Sequence, residues 1–257
     1  MDKPLILVVN DDGITAKGIR CLVESVADMG RIIVVAPDKP QSAMGHAITI
    51  NQPLRLTKVN IFGDIEAYTC SGTPVDCVKL AIDKVLHRKP DLCLSGINHG
   101  SNASINVIYS GTMSAAMEAS LDKIPAVGFS SMGYGEDTDM SAAQLYVRKI
   151  VHVVLEKGIP GFQLLNVNIP VLPYEQIKGI KVCHQAKAKW EENYEERRDP
   201  QGRRYYWLSG DFVEEQHEEN SDLWALKNNY VSIVPVQHDL TDYGSLPVLK
   251  QDYELNG

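Results

Sequence analysis

No apolar run in the 257 residues approaches the ~18 needed to cross a bilayer, so no membrane partner is expected. Met1-Asp2-Lys3-Pro4 followed by a five-residue apolar run is too short for a signal peptide. Basic residues are the minority: 25 Lys and Arg against 33 Asp and Glu give a formal charge of −8. No basic run or stripe stands out, which argues against a nucleic-acid polymer as the main partner. A single nucleotide stays open, because a small phosphate needs only a local site. The five cysteines, Cys21, Cys70, Cys77, Cys93 and Cys183, form no C-x-x-C spacing. An odd count in apolar surroundings reads as buried free thiols in a reducing compartment, so a cytoplasmic location is expected. Familiar catalytic signatures are missing as well. There is no G-x-x-x-x-G-K-[ST] phosphate loop, no G-x-G-x-x-G after the first apolar run and no G-x-S-x-G elbow. The seven histidines are scattered and lack the spacing of a metal-binding helix.

What is present is the material of an ordinary globular chain, 44% hydrophobic and 23% charged. Its length suits one large domain or one domain with a substantial appendage. Leu5-Ile6-Leu7-Val8-Val9 and Ile32-Ile33-Val34-Val35-Ala36 are continuous β-branched runs, as strands buried on both faces would be. Between them Ile19, Leu22, Val23, Val26 and Ala27 recur at helical spacing, and Gly30 sits where a helix would end. Residues 47–70 alternate like antiparallel hairpin strands. Thr73-Pro74 opens a helix with proline in its first turn. Asp91 to Ser95 reads as a strand, 111–121 as a helix of small residues, and 125–130 as a further strand. Such strand–helix alternation predicts an α/β fold, a Rossmann-like and mostly parallel sheet with helices on both faces. Residues 1–130 are read as this core and 131–257 as a smaller C-terminal part with a helix over 141–157 and a strand over 162–169. Within it, residues 186–220 hold ten acids, six bases and few aliphatic residues. Trp190, Trp207 and Trp224 fall in or beside this stretch. Burial against a partner subunit and an irregular surface lobe of the same chain both accommodate that composition.

The chemistry centres on Asn10-Asp11-Asp12-Gly13, directly after the first strand. Asp-Gly is a favoured hairpin corner, but here the chain runs on into a helix. Two adjacent carboxylates at the mouth of a parallel sheet repel each other unless a cation lies between them. Ligands of such sheets bind outside the carboxyl ends of the strands, and two further loops lead there. One brings Asp38, Gln41 and Ser42; the other brings Gly96-Ile97-Asn98-His99-Gly100-Ser101-Asn102. With the aspartates, a serine and an asparagine from these loops give an all-oxygen site suited to Mg²⁺ or Mn²⁺. The lack of a Cys or His pair beside His99 argues against zinc. Tyr109-Ser110-Gly111-Thr112 opens a helix. Ser110 is an ordinary N-cap there, yet exposed N–H groups and two hydroxyls next to a cation also make an anion site. Ser71-Gly72-Thr73-Pro74 is explained by a capped turn.

These segments stand in a fixed order with Ala36-Pro37-Asp38, Gln41-Ser42, Ser71-Gly72-Thr73-Pro74-Val75-Asp76-Cys77-Val78 and Ser95-Gly96-Ile97-Asn98. Together they resemble the SurE family of stationary-phase survival proteins, metal-dependent 5′/3′-nucleotidases. The resemblance covers essentially the whole chain, with weaker echoes near Tyr230-Val231-Ser232-Ile233 and Asp239-Leu240-Thr241. It implies a Rossmann-like core, a C-terminal part that exchanges segments between subunits, and a homodimer or homotetramer. It also implies one divalent cation per subunit, held by Asp11, Asp12, Ser42 and Asn98. Ala43, Ser104 and Ala119 stand where glycine is usual in the family, and 186–220 matches poorly.

The expected reaction is hydrolysis of a nucleoside 5′- or 3′-monophosphate to nucleoside and phosphate. Asp11, Asp12 and Asn98 are the expected catalytic residues, and Asn102, Ser110, Gly111 and Thr112 the phosphate holders. Asp12 is one candidate base, and no aromatic pair for stacking a nucleobase is evident near the predicted mouth. A haloacid-dehalogenase type of phosphatase, with its D-x-D-G-T nucleophile motif, meets Asn10 at the nucleophile position, which cannot form an aspartyl phosphate. A non-catalytic sensor using the same metal and phosphate cradle needs the same residues, and only turnover separates it from the enzyme.

Overall fold

The computed structural model describes residues 3–135 and 137–253. Its centre is a nine-stranded sheet. In chain order the strands and helices are β1 (Leu5–Val9), α1 (Lys17–Val26), β2 (Arg31–Pro37), β3 (Leu56–Val59), β4 (Glu66–Cys70), α2 (Pro74–Leu80), β5 (Leu92–His99), α3 (Gly111–Leu121), β6 (Ala126–Ser131), α4 (Ser141–Lys157), β7 (Leu164–Ile169), β8 (Ile180–Val182), β9 (Ala188–Arg198), β10 (Arg204–Glu214), α5 (Asp222–Lys227), β11 (Val231–Pro235) and α6 (Leu246–Asp252). The sheet order is β3-β4-β2-β1-β5-β6-β7-β11-β8, parallel from β4 through β7. β3 lies antiparallel to β4, and β11 antiparallel to β7. Three strands from beyond residue 131 thus extend the sheet that the first half begins.

Strand alternation divides the core into two layers. Ile6 and Val8 face one side with α1 and α4, while Leu5, Leu7 and Val9 face the other with Met113, Ala115 and Ala116 of α3. Both faces of β1 are therefore dry, which explains its unbroken apolar run. On the second face the small residues of α3 bring its backbone close to the sheet. On the first, α1 comes so close to β5 that a Cβ on Gly18 would meet the Ile97 carbonyl at 1.9 Å.

The expected hairpin over 47–70 is shorter than the alternation suggests. Only β3 and β4 pair, and residues 38–55 stay at the carboxyl end of the sheet without a strand. Backbone groups that a strand would pair find other partners: Ala47 O accepts from Thr73 Oγ1 at 2.7 Å, Thr49 N donates to Asp76 Oδ1 at 3.1 Å, and Gly45 N donates to Tyr109 O at 3.2 Å. Ile48 and Ile50 consequently face water. Thr73 and Asp76 cap α2 reciprocally, as the capped-turn reading requires.

The charged stretch 186–220 forms a protruding antiparallel hairpin of β9 and β10, each 11 residues and about 35 Å long. Asp199 closes its tip by accepting from the backbone of Gln201 and Arg203. No helix among the described residues is long and apolar enough to cross a membrane.

Candidate active site

From β1 the chain steps to β2 and β4 on one side, and from β5 to β6 and β7 on the other. The boundary between β1 and β5 is thus the point where the crossovers diverge, and it opens a crevice at the carboxyl edge. A cavity of about 600 Å³ lies there. Asp11, Asp12, Ser42, Asn98, Asn102 and Ser110 all line it. Asp38 stays exposed outside, and its N–H is paired with Cys70 O.

Asp11 is almost fully buried and packs on the first turn of α3. Thr112 Oγ1 donates to Asp11 Oδ1, and the Thr112 backbone N–H adds a second bond to the carboxylate. The contact is so close that a Cβ on Gly111 would meet Asp11 Cβ at 2.7 Å. Burial, with the neighbouring charge of Asp12, pushes the Asp11 carboxyl up to about 6 against the pull of Thr112. Asp12 is more open. Burial also raises its carboxyl, opposed by His99, whose N–H donates to Asp12 Oδ2 at 3.4 Å.

The loops are pinned to one another. Gln41 N donates to Asp11 O at 2.7 Å, and Ile14 N to Pro37 O at 3.0 Å, so the Ser42 loop is joined to the Asp11 turn. Asn10 donates its amide to Gly13 O and closes that turn from below. A register shift in β5 between Ser95 and Asn98 re-aims its last residues. Asn98 Nδ2 then donates to Gly100 O at 2.8 Å, which leaves Oδ1 as its acceptor for a ligand. Asn102 sits on a buried amide cluster: its N–H donates to Asn168 Oδ1, its Nδ2 to Ser130 Oγ, and its carbonyl accepts from Asn166 Nδ2. Ser110 Oγ accepts from Met113 N at 3.0 Å, so its own proton stays available.

This donor set fits a hard cation. It offers two desolvated carboxylates with raised proton affinity, an amide oxygen and a hydroxyl in one cavity. Among the described residues no three His, Cys, Asp or Glu side chains converge on a metal position.

The expectation for Thr112 changes. It is fully buried and gives its hydroxyl to a carboxylate instead of to the cavity. Sequence reading also missed the cavity walls. Tyr109, Tyr134, Trp190 and Leu208 line it, Trp190 from near the root of the hairpin and Leu208 from its middle. Trp190 carried a signal as a bulky aromatic in a charged stretch, but not its direction. Ala43 and Ser104, which depart from the family glycines, keep a left-handed backbone at φ 58° and 56°. Ser104 compensates with a hydroxyl that donates to Ala186 O at 2.8 Å.

A doubly wound α/β chain with an acidic, oxygen-rich crevice at its topological switch point is of the Rossmann-like class, whose ligands bind outside the carboxyl ends of the strands. The chain is a member of the SurE family: the family model described as Survival protein SurE matches residues 6–192. A protein of Flavobacterium psychrophilum named 5′-nucleotidase SurE is 55% identical over 100% of both chains. One of the same name from Christiangramia forsetii is 58% identical over 93% of each. The crystal structure of the SurE protein from Aquifex aeolicus superimposes with a TM-score of 0.83 at 42% identity, covering 96% of this chain and 99% of that one.

Proposed function

We propose that this chain is a divalent-metal-dependent phosphomonoesterase that hydrolyses nucleoside 5′-monophosphates, and 3′-monophosphates as well, to nucleoside and phosphate. The observation that carries the reading is the adjacent, desolvated Asp11 and Asp12 facing Asn98 and Ser42 across one cavity. The 5′-nucleotidase names of the relatives support the substrate class.

Asp11, Asp12, Ser42 and Asn98 would hold one Mg²⁺ or Mn²⁺ per subunit. That cation supplies Lewis-acid polarisation of a phosphoryl oxygen. Ser110 donates its free proton to a second phosphoryl oxygen, helped by the N–H of Gly111 at the opening of α3. Asn102, immobilised by Ser130, Asn166 and Asn168, presents a fixed amide to the same group. Thr112 serves indirectly, by fixing the Asp11 carboxylate. Asp12, the more open of the two carboxylates, would accept a proton from the attacking water.

In this reading, residues 1–130 carry the catalytic groups and 131–257 build the outer sheet and an assembly arm, giving a homodimer or homotetramer. The projecting hairpin with exposed Tyr194, Tyr206 and Trp207 supports the arm. Five buried free thiols fit a cytoplasmic location. Phosphate release from a panel of nucleoside 5′- and 3′-monophosphates, with Mn²⁺ or Mg²⁺ and then with chelator, tests the proposal. The expected result is turnover that the chelator abolishes. Nucleotide binding without turnover under any divalent cation would establish the sensor instead.

A further inference from the structure

The cavity is lined by two chemically distinct sets of residues. The carboxylates, Asn98 and Ser110 suit a cation and an anion, whereas Tyr109, Tyr134, Trp190 and Leu208 present apolar surface. Trp190 and Leu208 share one face of the hairpin. Alternation along β9 puts Trp190 and Glu192 on the same side, and the register pairs them with Phe212 and Gly210, in line with Leu208. Trp190 is 42% exposed, yet its position is fixed. Its indole N–H donates to Asn106 Oδ1 at 2.8 Å, and its ring packs on Phe212 with centroids 5.2 Å apart. Asn106 belongs to the short turn 104–108 that also leads to Tyr109 and Ser110. A hydrogen bond therefore ties the hairpin wall directly to the phosphate-facing loop. A partly exposed aromatic plane, held by these contacts in the wall of a polar cavity, has the form of a stacking platform.

We infer that the cavity-facing side of the hairpin is the nucleobase subsite, with the base stacked on the Trp190 indole and flanked by Leu208 and Tyr109. The inference rests on the nucleotidase reading and extends it: the core contributes phosphate chemistry, and the hairpin contributes preference for a nucleoside over other phosphate esters. Stacking tolerates any base, so this surface selects for the presence of a base more than for its identity.

The experiment compares kcat/KM for adenosine 5′-monophosphate with that for ribose 5-phosphate, which keeps the phosphate and sugar and lacks the base. In Trp190→Ala the preference ratio is expected to fall about tenfold or more, the usual loss for one stacked base. In Trp190→Phe, which keeps a ring, most of the ratio is expected to survive. An unchanged ratio in Trp190→Ala overturns the inference. A binding test stands apart from catalysis: adenosine is expected to quench the wild-type tryptophan fluorescence, and Trp190→Phe to remove most of that response. Quenching that persists undiminished in Trp190→Phe also overturns it. Failure to hydrolyse either ester would defeat the nucleotidase reading alone, and the fluorescence titration would still decide the subsite.

Discussion

Asp11 and Asp12 are neighbours in sequence with different surroundings. Asp11 is sealed against α3 by Thr112, while Asp12 opens to the cavity. Without a cation, the buried Asp11 carboxyl lies at about 6 against 3.8 for a free one. Because the folded chain then holds the proton more tightly, ionised Asp11 weighs against the fold once pH rises through about 6, and that penalty is absent below about 4. In chelator, Asp11→Asn is therefore expected to melt a few degrees above wild type at neutral pH, and the difference should close as the pH falls towards 4. Paired thermal melts across that range check it; a variant that melts lower at neutral pH contradicts it. The same substitution is expected to reduce phosphate release about 100-fold or more, measured at saturating Mn²⁺, since a metal-facing carboxylate is lost. Retained activity would remove Asp11 from the site.

The elements that carry the site are tied together by buried side chains in their connections. Asp222, at the start of α5, accepts from Ser104 N at 2.8 Å, Ala186 N at 3.0 Å and Leu223 N at 2.8 Å. It thereby fastens the turn under the cavity to the root of the hairpin. Asp222→Ala leaves three N–H groups without that partner and is expected to cost about 2–4 kcal/mol in denaturant titration. A loss within the ordinary surface range of about 0.5 kcal/mol would show that this tie is not needed. Several elements were legible beforehand because one local cause determines each. Burial on both faces makes β1 and β2 continuous apolar runs, and helical spacing marks 141–157, where α4 indeed runs from Ser141 to Lys157. Asp11, Asp12, Ser42 and Asn98 were legible as a set because parallel topology sends every strand-end loop to one edge. The coil through 45–55 was hidden because caps on α2 and the Tyr109 carbonyl take its backbone partners, which alternation does not encode. The hairpin wall was hidden too. β9 and β10 are largely exposed on both faces, so no core imprints a pattern, and Trp190 meets Asn106 across 84 residues of sequence.

At the scale of the whole molecule, the hairpin serves two ends. Trp190 and Leu208 border the cavity, while the same face also carries Tyr194, the partner of Leu208, at 61% exposure and Tyr206, nearer the tip, at 55%. Aromatic surface carried that far from the core is covered most economically by a second copy, and such assemblies close as symmetric dimers or pairs of dimers. Light scattering at micromolar concentration is expected to give a mass of at least twice 28.5 kDa, and the monomer value would contradict the arm. The central claim is that the strand-end loops build one site for a hard divalent cation. Calorimetric titration of Mn²⁺ into the metal-stripped protein tests it most directly, with Asp11→Asn beside wild type. One cation per chain is expected for wild type, and binding weakened by about tenfold or more in the variant. Equal binding by the two proteins, or none by wild type, would contradict it.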